Sequence, residues 1–79
     1  METWHTRLRL ARISAGLNQK QAANLCGISQ PTYSHWESGE IDELKVKNLH
    51  KVCKVFGLTE QYLLYGKGPA PGLATERGA

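Results

Sequence analysis

Residues 19–37 read QKQAANLCGISQPTYSHWE, and how this stretch folds decides the architecture of the chain. Asn18 precedes it as a helix cap, the small or apolar Ala22, Ala23 and Cys26 recur on one helical face, and Gly27 supplies the left-handed residue that ends the helix. A second helix must start almost at once. Pro31 fits a first turn, where its missing N–H would be unpaired anyway, and Ser29 or Gln30 caps that turn because proline disfavours a helical residue before it. A rotation of about 100° per residue then turns Tyr33, Trp36 and Glu37 inward and Pro31, Ser34, His35 and Ser38 outward. Gln30 projects from the amino-terminal end. The unit is two short helices joined by a tight glycine turn, with Ala23 small where the second helix crosses and Ile28 plugging the shared core.

Outward from this unit the helical period continues. Thr3 is the expected cap of a first helix reaching Ala15, with Trp4, Leu8 and Ala11 inward and Gly16 as its terminator. Leu10 and Ile13 fall off that stripe, as surface apolar residues or as part of a contact with a partner. A fourth helix is expected after Asp42, whose carboxylate would cap it, with Val46, Leu49, Val52, Cys53 and Phe56 inward and Lys47, Lys51 and Lys54 on the other face. Thr59 is the expected cap of a fifth, ended by Gly66, with Leu58 and Leu63 as a hydrophobic staple and Glu60 in its first turn. The expected fold is all-α, a compact bundle of about five short helices. Residues 1–66 form the domain, and residues 67–79, rich in Gly, Pro and Ala, form a disordered tail.

Seventy-nine residues, 41% hydrophobic, supply one modest core and leave no room for a deep enclosed active site. Ten Lys and Arg against seven Asp and Glu leave a formal charge of +3, a lean towards polyanions. No apolar run is long enough to span a bilayer and the first residues lack a secretory pattern, so a cytoplasmic location is expected. Cys26 and Cys53 lie in apolar patterns without CxxC spacing, which argues for free thiols and against a metal or redox site. His50 and Cys53 share a helix face, but two ligands do not close a metal site. No cofactor is expected. With no nucleophile, base or paired-carboxylate arrangement, the chain does not read as an enzyme.

The stretch at 19–37, together with LNQKQAA at 17–23, WESG at 36–39 and GLTEQYLLYG at 57–66, resembles the helix-turn-helix of the Cro and phage-repressor proteins, the XRE family. The resemblance implies a lambda-repressor-like DNA-binding domain and a transcriptional regulator that reads double-stranded DNA. The helix near residues 30–38 would enter the major groove, with Gln30, Pro31, Thr32, Ser34 and His35 as base contacts. Gln19, Lys20 and Ser38 would contact phosphate. Arg12 and Glu37 match a structural salt bridge of that family. Ala22 and Cys26 stand where leucine is common and Tyr33 where a smaller residue is usual, an exchange that conserves core volume. The loop containing Glu40, Asp42 and Glu43 is acidic where relatives carry basic residues. The resemblance further implies a Cro-like repressor acting as a homodimer on a partly palindromic operator, with Tyr62, Leu64 and Tyr65 at the dimer contact. Two other readings remain at this stage: an antitoxin that also binds a toxin protein, and a protein-interaction module with reduced DNA binding.

Overall fold

The computed structural model describes residues 3–41 and 43–68 and contains five helices in the order expected. They are α1 (Trp4–Ser14), α2 (Gln19–Cys26), α3 (Gln30–Ser38), α4 (Val46–Phe56) and α5 (Glu60–Tyr65), and the described residues include no strand. The tail expected at 67–79 lies outside the described residues from position 69 onward.

One core joins all five helices. Trp4, Leu8 and Ala11 from α1, Ala22, Ala23 and Cys26 from α2, and Tyr33 and Trp36 from α3 are buried together with Leu49, Val52, Leu58 and Leu63. For α1, α2 and α3 the stripes read from helical spacing are the faces that meet there, because burying apolar surface is the largest favourable contribution a chain this small has. Leu10 and Ile13 stay about half exposed on α1.

The fourth helix departs from expectation. It starts at Val46, with Lys45 as a cap that makes no side-chain hydrogen bond, and Asp42 lies outside the described residues. Val46, expected inward, is 65% exposed, whereas Leu44, which the helical pattern omits, is buried at 8%. Leu44 enters the core from the non-helical segment ahead of the helix. Leu49 and Val52 then define the inner stripe, and Val46, three and six residues before them, is left at its outer edge. Cys53 and Phe56 are half-buried.

Side-chain and glycine caps elsewhere explain the ends. Thr59 Oγ1 accepts from the Tyr62 N–H at 3.0 Å to start α5, with Leu58 and Leu63 both buried against it. Thr3 occupies the cap position of α1 without a side-chain bond.

Candidate nucleic-acid interface

The pair α2 and α3 is built from local chemistry. Asn18 Oδ1 accepts from the Gln21 N–H at 2.7 Å while Gln21 Oε1 accepts from the Asn18 N–H at 2.9 Å, so two otherwise orphaned donors are satisfied reciprocally. Gly27 adopts φ +72°, a conformation that penalises any Cβ, and lets the Ile28 N–H return to the Ala23 carbonyl at 3.0 Å. Ser29 is the cap of α3: its Oγ accepts from the Thr32 N–H at 3.3 Å, and Pro31 occupies the first turn.

The inner side of α3 is pinned. Glu37 accepts from Arg12 Nε at 2.7 Å, from Arg12 Nη2 at 3.2 Å and from Gln19 Nε2 at 3.1 Å, tying α3 to both preceding helices. Arg12 Nη1 also donates to the Leu17 carbonyl at 2.9 Å. The side chains of Arg12 and Glu37 are only 14% and 3% exposed. Burial alone would raise the Glu37 carboxyl, but the hydrogen bonds, led by those from Arg12, outweigh it and hold the group below its ordinary value. Tyr33 is fully buried beside them. Its hydroxyl makes no well-formed hydrogen bond, although it lies close enough to Glu37 to feel its charge, and burial first and Glu37 second push the phenol far above its usual range. An ionised Tyr33 is therefore excluded under ordinary conditions.

The outer side of α3 presents Gln30, Pro31, Thr32 and His35 to solvent, with Ser34 half-buried and Ser38 exposed at the last turn. Thr32 Oγ1 accepts from Ser29 Oγ at 2.9 Å. His35 Nε2 lies 3.3 Å from Glu40 Oε2, an exposed pairing. Ser38 Oγ donates to the His35 carbonyl at 3.1 Å and accepts from the Glu40 N–H at 3.3 Å, which fixes the start of the acidic loop against this face. Lys20 is exposed on α2. Each sequence-derived base candidate thus lies on α3, and Gln30, Pro31, Thr32 and His35 form one exposed surface.

Residues 8–63 match the sequence pattern of the helix-turn-helix family, most of the chain. The chain belongs to that family. Its fold is similar to the P22 c2 repressor in complex with a synthetic operator, at a TM-score of 0.78 and 25% identity, over 85% of this chain and 100% of that one. The solution structure of the P22 c2 repressor DNA-binding domain matches at a TM-score of 0.72 and 24% identity, over 85% and 92%. A transcriptional regulator from Listeria innocua matches at 0.70 and 21% identity, over 95% and 70%. A glutamine–fructose-6-phosphate aminotransferase of Methanocaldococcus jannaschii is 28% identical over 64 residues, 81% of this chain. This chain spans 6% of that enzyme's length, so the likeness concerns a small segment of it.

Within the helix-turn-helix frame, three residues make contacts across the fold that the residue pattern did not assign. Gln19, which the resemblance places at phosphate, directs its side-chain amide to Glu37. Arg7 is buried at 6% and donates from Nε to the Leu63 carbonyl at 2.7 Å and from Nη2 to the Leu64 carbonyl at 2.9 Å. A cation at the carboxyl end of α5 satisfies carbonyls that lack helical partners and opposes the dipole there. Arg7 stands three residues after Trp4 and four before Ala11, on the inner stripe itself, and that placement was the available signal. His5 likewise joins α1 to α3, donating from Nδ1 to the Trp36 carbonyl at 2.8 Å.

Proposed function

We propose that this helix-turn-helix protein, whose family and fold are those of DNA-binding transcriptional regulators, is a sequence-specific repressor that reads the major groove with α3. One observation carries the reading: a helix held from behind by Tyr33, Trp36 and Glu37 presents Gln30, Pro31, Thr32 and His35 outward. Gln30 can pair with adenine N6 and N7, His35 can donate to a guanine acceptor, and Pro31 can pack on a thymine methyl. Thr32 and Ser34 complete the base-facing set. Gln19 and Lys20 at the start of α2 serve the phosphates, since helix N-termini and basic side chains favour anions. Gln19 has a second amide hydrogen for a phosphate beside the one given to Glu37, and Ser38 serves a phosphate by releasing the His35 carbonyl. The similar P22 c2 repressor, in complex with a synthetic operator, supports this use of the fold.

His35 must release Glu40 to reach a base. An exposed pair of this kind contributes about 0–1 kcal/mol, less than the roughly 1–3 kcal/mol of a good base contact, so DNA wins the competition. Two copies on a partly palindromic site would set their α3 helices about 34 Å apart. Tyr65, 68% exposed at the end of α5, is the residue of the Tyr62, Leu64 and Tyr65 group best placed for that dimer contact.

The test begins with selection of bound duplexes from a random DNA pool, followed by titration of the selected site and a scrambled duplex at fixed salt. Gln30→Ala and His35→Ala are expected to lose roughly 1–3 kcal/mol on the selected site and to spare the scrambled one. Gln19→Ala should weaken both alike. Equal losses on both duplexes for Gln30→Ala and His35→Ala would show that other residues read the bases.

A further inference from the structure

We infer that an open groove between α2 and α4 is a docking surface for an acidic amphipathic helix of a partner protein. The groove has a volume of about 520 Å³ and is lined by Leu25, Cys26, Gly27, Lys51, Lys54 and Val55. That volume lies within the range of about 300–1,000 Å³ usual for ligand clefts. Its floor is the buried Cys26, its wall the half-buried Val55, and its rim Leu25, which is 59% exposed. A Cβ at Gly27 would meet nothing within 4 Å, so an entering side chain finds space at that end.

Charge decides the occupant. The lining carries two ammonium groups and no carboxylate, and Lys47, exposed one turn before Lys51, extends the positive row along α4. Lys47, Lys51 and Lys54 stand at i, i+4 and i+7, about 10 Å of one helical face at 1.5 Å per residue. A partner helix with leucine-like anchors for the groove and Asp or Glu at the same spacing along its flank complements both features. Lys51 and Lys54 line one edge of the groove and Lys47 continues their row beyond it; the lysine stems can cover part of the apolar surface by themselves while their ammonium groups face the carboxylates of a partner. None of Gln30, Pro31, Thr32 or His35 lines the groove, so the inference stands apart from the DNA reading.

The experiment titrates the full chain, labelled with ¹⁵N, with a synthetic amphipathic peptide carrying a leucine face flanked by glutamates, and with its counterpart in which every glutamate is lysine. The expected result is a saturable set of amide shifts confined to the segments around Leu25 and Gly27 and around Lys51 and Val55. Lys51→Gln with Lys54→Gln should weaken the acidic peptide at least tenfold at an unchanged melting temperature, and Leu25→Ser, altering an exposed side chain, should do the same. Absence of saturable shifts, equal binding of the lysine peptide, or shifts elsewhere would overturn the proposal. Two further outcomes would also overturn it: the same shifts appearing with protein concentration alone, which would make a second copy the occupant, or loss of affinity of the double variant for all duplex DNA, which would make the lysines phosphate ligands.

Discussion

The two connections on either side of α3 begin alike and are held differently. Both open on a left-handed glycine, Gly27 at φ +72° and Gly39 at φ +88°. The first restarts a helix by Gln30, using the Ser29 cap and the Ile28 return to Ala23. The second runs to Lys45, makes no side-chain cap for α4, and beyond the Ser38 bond to the Glu40 N–H takes its anchorage from Leu44 in the core and the half-buried Ile41. Chemistry within five residues sets the first connection, while apolar burial against distant helices sets most of the second. The first positions the face proposed to read bases; the second carries the acidic loop past it.

The sharpest way to break this contrast is to attack the tie that holds α3 from the far side. Arg12→Ala leaves Glu37 nearly buried with Gln19 as its remaining donor, and removal of one partner of a buried pair costs on the order of 3 kcal/mol. A thermal melt should show a large drop, and Glu37→Ala in a double-mutant cycle should recover much of it. The same pair governs acid stability. Because the folded Glu37 carboxyl lies below its ordinary value, its ionised form stabilises the fold above the unfolded value of about 4.3 and that contribution disappears as pH falls through the lower folded value. Melting temperatures followed from neutral pH into acid should therefore fall below about pH 4.3 in the parent, and less so in Glu37→Gln. A Glu37→Gln protein with the parent's acid dependence would assign the transition to other carboxylates.

Leu44→Ala probes the second connection. Removing a buried leucine side chain should cost about 2–3 kcal/mol, read in a denaturant titration, whereas Val46→Ala at an exposed position should change stability by less than about 0.5 kcal/mol. If the two losses were equal, Leu44 would not be the anchor. Capping gives smaller effects that sharpen the comparison. Ser29→Ala should cost about 1 kcal/mol, the usual value for a lost cap. Lys45→Asp should do the reverse, adding about 0.5–1 kcal/mol by supplying a cap and placing a negative charge at the positive end of α4. A destabilised Lys45→Asp protein would mean that Lys45 has a role beyond the cap position.

Much of the architecture was legible in the residues because its instructions are short-range. Asn18, Gly27, Ser29 with Pro31, and Thr59 before Glu60 each act within a few positions, and each marks a boundary of α2, α3 or α5. Most of the outward set on α3 was legible for the same reason, since Tyr33 and Trp36 determine the rotation of the helix, and only Ser34, expected outward, is half-buried. The start of α4 was not, because an acidic residue that can cap a helix gives no sign of whether a later leucine will be drawn into the core first.

The sequence alone therefore determined five helices, most of their ends, the core stripes of α1, α2 and α3 and most of the exposed face of α3, all consequences of helical period and capping chemistry. Only the tertiary structure decided which polar groups meet across the fold: Arg7 with the carbonyls of Leu63 and Leu64, Gln19 with Glu37, His5 with the Trp36 carbonyl, and Glu40 with His35 beyond the end of α3. A buried polar group must find a partner when water is removed, and the partner it finds depends on how the helices dock. Periodicity identifies the face a residue occupies. The packed bundle alone identifies what that face touches.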